Sequence, residues 1–266
     1  MINATRYLDR QVVHPVTLAA KLQALAEVTT NTAPLSVQHL LADLDDCSLD
    51  TSPRTVHLLG DFLDDSFPGD SKAAQALAAA QKLVELGQVP YLARELWLTV
   101  MGQEGDKHIG DWFAYWQAHF FTNEALVHDL PHPGVVKWLQ GLDANFPKVG
   151  YLTGRHRPNP SSRHPSGMEL GTMATLWKHR FPLGPLYMKG QWGGDDTAYK
   201  QGLFQQLLAA GEVYPLGYID NEPSCVIAHH EVMTAASLPH LSVWFKGVCQ
   251  KPADLPPDIL VLESFE

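Results

Sequence analysis

Leu40-Leu41-Ala42-Asp43-Leu44-Asp45-Asp46 decides the fold. From Ser36 to Ala42 the chain is mostly apolar and too short for an ordinary helix, which predicts a buried central strand. Three aspartates follow within four positions. Asp is a poor strand residue, so the strand ends there and presents carboxylates at its C-terminal edge. In open α/β sheets that edge is where ligands bind. Acids placed there are candidates for metal binding and for nucleophilic work, or else form a plain acidic turn.

Upstream, His14 to Val28 carries Leu18, Leu22, Leu25 and Ala26 at helical spacing, and Asn31 to Pro34 ends that helix. Downstream, Cys47 to Arg54 reads as a polar turn. From about Thr55 to Asp129 the helical signals dominate: Ser71–Leu86 closed by Gly87, Val89–Met101 with Pro90 near its start, and the aromatic run Asp111–Phe121. Trp112, Phe113, Tyr115, Trp116, Phe120 and Phe121 on that run read chiefly as the core of an inserted unit, with some free to face a substrate. The stretch Leu59-Gly60-Asp61-Phe62-Leu63-Asp64-Asp65 reads as a surface loop, since Gly60 weakens a strand.

Alternation of helix and strand resumes at Leu130. A helix over Gly134–Leu142 leads to a strand over Lys148–Leu152 that ends in Thr153-Gly154-Arg155. A long loop, His156–Gly167, is of a length usually functional or mobile; its Arg157 and Arg163 are candidates to meet an anion, or else belong to a solvated loop. Then come a helix Thr172–His179, a short strand Leu186–Met188, and a helix Thr197–Ala210 carrying Lys200. A strand Leu216–Ile219 ends in Asp220-Asn221-Glu222-Pro223, and a helix Cys225–Met233 follows. Strands over His240–Phe245 and Ile259–Leu262 complete the pattern. It predicts an α/β fold with a Rossmann-like parallel sheet and right-handed crossovers, plus an inserted helical cap domain. The expected division is 1–54 and 130–266 for the core and 55–129 for the cap.

Composition narrows the function. At 266 residues the chain holds one large domain or a core with an insertion, and 45% apolar with 18% charged residues is ordinary for a globular protein. A net charge of -10 argues against nucleic acid as the main partner. It leaves room for a small anionic substrate, because fields inside a cleft can oppose the global charge. No apolar run approaches the roughly 20 residues of a bilayer span. Met1 to Val13 lacks the apolar segment of a signal peptide. Cys47, Cys225 and Cys249 are few, odd in number and far apart, so the expectation is a reducing, cytoplasmic setting without disulfides.

Three strand ends and a helix start thus bring together Asp43 and Asp45, Thr153 with Gly154, Asp220, and Lys200. Each type has a job in phosphoryl transfer. A carboxylate attacks phosphorus. A second acid two residues on moves a proton. A hydroxyl and a free backbone N–H hold phosphoryl oxygens. A lysine offsets charge on those oxygens. Converging aspartates repel one another unless a hard cation, for which Mg²⁺ is suited, lies between them.

In this order the motifs resemble the haloacid dehalogenase superfamily. Asp43-Leu44-Asp45-Asp46 with Leu49 is similar to its first motif, Tyr151-Leu152-Thr153-Gly154-Arg155 to its second, Lys200 to its third, and Tyr218-Ile219-Asp220-Asn221-Glu222-Pro223 to its fourth. His132-Pro133-Gly134-Val135 resembles the opening of the helix before the second motif. Gly171-Thr172 and Phe181-Pro182-Leu183 resemble segments of its phosphatase branches. The resemblance spans about Val37 to Glu222.

It implies a Mg²⁺-dependent phosphatase with a helical C1-type cap, acting on a small phosphorylated metabolite. Asp43 would be the nucleophile, Asp45 the acid/base with its carbonyl on Mg²⁺, Thr153 and Gly154 the phosphate cradle, and Lys200 the charge stabiliser. Asp43, Asp45 and Asp220 would be the metal set. The alternative is a weakly active relative that binds a ligand or partner.

Cys47 stands where the pattern has Thr or Val, and no paired His marks it as a nucleophile. Asn221 replaces a frequent second acid, for which Glu222 could compensate. Lys189 competes with Lys200 for the third motif. His229 and His230 read as packing or surface residues, and Arg155 as a substrate contact or a structural ion pair.

Overall fold

The computed structural model describes residues 12–30, 37–145, 147–161, 164–247 and 255–266. The readings made above for Met1 to Gln11, the Asn31–Pro34 break, Arg163 and Cys249 lie outside them.

Helix α1 (Pro15–Thr30) precedes β1 (Val37–Ala42), the strand of the opening stretch. A two-residue strand β2 (Leu49–Asp50) leads into four helices: α2 (Ser52–Ser66), α3 (Ser71–Glu85), α4 (Ala93–Met101) and α5 (Ile109–His119). The chain returns through β3 (Leu130–Pro131), which pairs antiparallel with β2 and so clasps the two ends of the insertion together. Then follow α6 (Val135–Asn145), β4 (Lys148–His156), α7 (Glu169–Lys178), β5 (Leu186–Lys189), α8 (Asp196–Ala210), β6 (Val213–Asp220), α9 (Pro223–Ala235), β7 (Leu241–Phe245) and β8 (Leu260–Leu262).

Six strands form one sheet in the order β5-β4-β1-β6-β7-β8, every neighbouring pair parallel. Both faces are covered, which is why β1 and β6 read as nearly unbroken apolar runs. Period-two alternation sorts their side chains. Leu40, Ala42, Tyr151 and Ile219 pack with Leu18 and Leu22 of α1 and Leu139 of α6. Leu41, Leu152 and Tyr218 pack on the other face with Phe204 and Cys225, from α8 and α9. Gly217 is small for a reason: a Cβ there would lie 2.7 Å from Leu22 Cδ2, so α1 could not seat as it does.

The strand order reverses at β1. The chain leaves β1 for β4 and β5 on one side and returns to β6 on the other. A crevice opens at such a switch point, beyond the carboxyl ends of the strands. Asp43 follows β1 there, Gly154 and Arg155 lie on β4, and Asp220 ends β6.

Several readings need correction. The segment from Ser52 is not a polar turn, and Leu59–Asp65 is not a surface loop; both belong to α2. Val56, Leu59, Phe62 and Leu63 are buried at helical spacing while Asp64 and Asp65 face water. The second correction is to β4, which runs on through Thr153-Gly154-Arg155 to His156, with a register shift between Thr153 and His156. Helix α4 begins at Ala93 rather than Val89.

The helices of the insertion bury an aromatic centre of their own. Phe62 meets Trp97 edge-on at 5.5 Å and Trp112 at 5.7 Å, and Trp112 Nε1 donates to the Ala93 carbonyl at 2.9 Å.

Candidate active site

The turn after β1 separates the three aspartates into three environments. Asp43 continues the ladder, its N–H donating to the Ile219 carbonyl at 2.9 Å. Its carbonyl accepts from Ser48 Oγ at 2.6 Å. Lys200, buried on the first turns of α8, donates from Nζ to Asp43 Oδ1 at 2.7 Å and to Asp220 Oδ2 at 2.7 Å. One ammonium therefore bridges two buried carboxylates from neighbouring strands. Tyr218 also donates to Asp220 Oδ2, and the Glu222 N–H donates to Asp220 Oδ1 at 2.7 Å. Burial drives the Asp43 carboxyl well above its usual range; Lys200 pulls it down and Asp220 pushes it further up. Burial alone would lower the Lys200 ammonium, yet Asp220 and Asp43 raise it, so it stays charged.

Asp45 sits among arginines. Arg155 donates to it from Nε at 3.0 Å and Nη2 at 2.8 Å, and Arg54 from Nη2 at 2.6 Å. Both guanidiniums also bind Asp129, Arg54 through Nε at 2.7 Å and Arg155 through Nη2 at 2.6 Å. Burial pushes the Asp45 carboxyl up, but Arg155 and Arg54 outweigh it and hold the group well below the usual carboxylate range. Arg155 is thus committed to ion pairs, the structural one of its two readings. Asp46 is a turn residue. It adopts φ 55°, which Asp tolerates. Its Oδ1 accepts from Thr51 N at 3.1 Å and Thr51 Oγ1 at 2.7 Å, fixing the approach to α2. Burial raises its pKa to about 7.

Asp43, Asp45, Gly154, Lys200 and Asn221 line one cavity of about 700 Å³ between the sheet edge and the helical insertion. The first turns of α8 and α9 contribute Thr197 and Ser224, whose hydroxyls are joined at 2.9 Å. Helix N-termini favour anions. Thr153 is fully buried, does not line the cavity, and accepts the Arg155 N–H at 3.2 Å. At Gly154 a Cβ would lie 2.1 Å from Asp196 Oδ2, the tip of a half-exposed side chain that would have to move aside. Lys189 donates to Asp196 and, at 3.2 Å, to the Gly194 carbonyl. It is Lys200, not Lys189, that lies against Asp43.

Cys47 is buried, with Sγ 3.7 Å from the Ile219 carbonyl, and burial pushes its thiol up, an inert arrangement. Tyr91 from the insertion binds Glu222, so that acid has a partner across the cavity mouth. His229 is a packing residue: Nδ1 lies 2.7 Å from Ser242 Oγ and Nε2 3.0 Å from the Pro215 carbonyl.

Among the described residues, no three His, Cys, Asp or Glu side chains are grouped to hold a metal ion. The oxygen donors here are of mixed type. With its amide turned, Asn221 Nδ2 donates to the Asp45 carbonyl at 3.1 Å and to Asp220 Oδ1 at 3.3 Å. Asp43 and Asp220 are two buried carboxylates that share one ammonium. Together with the Asp45 carbonyl they offer only oxygen, the ligand type of a hard divalent cation, so the donor chemistry fits Mg²⁺.

Arg54 and Asp129 were not found by reading motifs. They are distant in sequence and become partners only when the insertion closes on itself. Thr197 and Ser224 carry only the weak sequence signal of small hydroxyl residues in the first turns of α8 and α9.

A doubly wound parallel sheet, a helical insertion above its switch point, and a lysine bridging two carboxylates define the class: a capped α/β domain with an acid–lysine centre. No protein-family profile matches the chain, and no curated protein matches it. Solved structures similar to it include a proposed phosphatase from Clostridium difficile, 10% identical over 86% of this chain and 95% of that one, with a TM-score of 0.48. A proposed haloacid dehalogenase-like hydrolase from Bacteroides fragilis is 12% identical over 86% and 97%, with a TM-score of 0.46. A haloacid dehalogenase-superfamily hydrolase of subfamily IA from Geobacter sulfurreducens is 12% identical over 86% and 93%, with a TM-score of 0.44. Similarity at this level assigns neither a substrate nor a catalytic residue.

Proposed function

We propose that this chain is a Mg²⁺-dependent phosphomonoester hydrolase of the haloacid dehalogenase type, acting on a small phosphorylated substrate. The observation that carries the reading is Asp43, a cavity-lining carboxylate whose Oδ1 is held 2.7 Å from a lysine it shares with Asp220. In this reading an Asp43 oxygen attacks phosphorus while the bond to the leaving oxygen breaks. Water then attacks the same phosphorus, and Asp43 is regenerated. Lys200 orients Asp43 and balances charge on the phosphoryl oxygens. Gly154, Thr197 and Ser224 flank the phosphoryl group, and the buried Thr153 supports the strand end beneath it.

Asp220, Asp43 and the Asp45 carbonyl would hold Mg²⁺, which would supply positive charge against the phosphoryl oxygens and favour the ionised form of Asp43, with Asn221 orienting two of those ligands. Asp45 suits the second half of the cycle in its present form. Two guanidiniums keep it ionised, ready to take the proton of the attacking water. To protonate a leaving oxygen, it must first part from at least one of them and carry a proton, taken from the attacking water of the preceding turnover or from solvent.

That ion pairing is also the one observation favouring a second reading, a ligand-binding protein of low turnover. Acid quench during turnover separates the two. Under the first reading, mass spectrometry finds one phosphoryl group on the peptide that carries Asp43. Steady substrate binding with that peptide never modified supports the second.

A further inference from the structure

One face of α5 forms a ladder along the cavity. Phe113, Trp116 and Phe120 are three and four residues apart, so they share a face. Phe113 and Trp116 are stacked, with centroids at 5.8 Å and planes at 13°. Trp116 and Phe120 lie at 4.4 Å. A guanidinium caps each end: Arg54 lies 3.9 Å from the Phe120 centroid and Arg94 lies 4.2 Å from that of Phe113. The two arginines differ in one respect. Arg54 is buried and bonded to Asp45 and Asp129. Arg94 is exposed, lines the cavity, and pairs with no carboxylate among the described residues.

This wall has little to offer a polyol. Tyr91 OH is taken by Glu222, and Trp116 Nε1 is buried, with no hydrogen-bond partner. Sugar hydroxyls placed against it would lose water without finding partners. What the wall offers is apolar aromatic surface and one cation that pairs with no carboxylate among the described residues. Resting on the phosphatase reading above, we infer that the leaving group is a planar aromatic alcohol carrying an anionic substituent. Its ring packs on the Phe113–Trp116 wall and its anion meets Arg94.

The test uses benzyl phosphate, 4-carboxybenzyl phosphate and glycerol phosphate. All three release alkyl alcohols, so inherent reactivity is similar. Benzyl phosphate is expected to exceed glycerol phosphate in kcat/KM by about tenfold, the size of one aromatic contact with its buried area. The carboxylate adds about another tenfold. Trp116→Leu, which keeps apolar bulk, should collapse the benzyl-to-glycerol ratio. Arg94→Gln, at an exposed position, should collapse the 4-carboxybenzyl-to-benzyl ratio. Equal kcat/KM for benzyl and glycerol phosphate overturns the inference. So does an Arg94→Gln effect equal on all three, which marks Arg94 as attracting phosphate in general.

If no phosphate is released from any of them, the phosphatase reading fails separately. Calorimetry with 4-carboxybenzyl phosphonate then decides the inference. Binding weakened by both substitutions upholds it, and absent or unaltered binding ends it.

Discussion

At the scale of single residues, the site is built from charges that cost stability. Asp43 is the clearest case. Its carboxyl is held above the ordinary range by burial. A carboxyl whose folded pKa is raised favours folding below its unfolded pKa and gives that stability up as pH rises through the folded value. At neutral pH its ionised form therefore strains the fold. Asp43→Asn is predicted to melt no lower than the parent at pH 7 by calorimetry, while losing turnover. A clear drop in Tm would show instead that Asp43 stabilises the fold through Lys200.

The two candidate lysines separate by the same logic. Lys200→Ala leaves two buried carboxylates without their cation and should cost about 3–5 kcal/mol in urea unfolding. Lys189 pairs with a half-exposed Asp196, so Lys189→Ala should cost about 1 kcal/mol or less. The opposite ranking would move the structural weight to Lys189.

The placement of Asp43, Asp45, Lys200 and Asp220 was legible because each lies at or just past a strand end or in the first turns of a helix, in a recognisable order. That Asp46 shapes the turn and Asp45 is ion-paired was not legible, since φ and partners depend on residues far along the chain. Thr153 was legible as a strand-end hydroxyl, but the continuation of β4 turns it into the interior.

At the scale of elements, four buried or half-buried charges tie the helical insertion to the sheet. Arg54 comes from α2, Asp129 from the segment before β3, Arg155 from β4, and Asp45 from the turn after β1. A charge in such a network is expensive to leave alone. Asp129→Ala removes the carboxylate that both arginines share and is predicted to destabilise by about 3–5 kcal/mol, read as a lower urea midpoint. A midpoint within experimental error of the parent would show that Asp45 alone can satisfy both guanidiniums.

Helix α2 shows what the sequence reading lost. Its apolar residues recur at helical spacing, but Gly60, which weakens a strand, suggested a loop. Tertiary packing of Leu59, Phe62 and Leu63 against Trp97 and Trp112 outweighs the weak helix propensity of glycine and aspartate. The aromatic face of α5 was legible as an aromatic helix; which rings face the cavity depends on how α4 and α2 pack against it.

At the scale of the whole molecule, the parallel sheet follows from alternating helix and strand, and the site falls at the switch point of its strand order, β5-β4-β1-β6-β7-β8. Among the described residues, no helix is long and apolar enough to cross a membrane. The core also contains a built-in acid weakness. His229 bridges α9 to the sheet as a neutral ring, with burial lowering its pKa to about 3. A histidine with a depressed folded pKa stabilises above its unfolded value, near 6.5, and that contribution is lost as pH falls toward the folded value. Thermal stability should therefore decline between about pH 6.5 and 3, and His229→Gln should flatten part of that decline. An unchanged slope in the variant would assign the acid sensitivity to other groups.

The central claim is that Asp43 attacks a phosphoryl group with the help of a divalent cation. The most direct measurement is phosphate release from p-nitrophenyl phosphate by the folded protein, with Mg²⁺ and with EDTA, beside Asp43→Asn. The account predicts release with Mg²⁺, loss of it with EDTA, and none from the variant in either case. Release by a well-folded Asp43→Asn protein at the parent rate would contradict it.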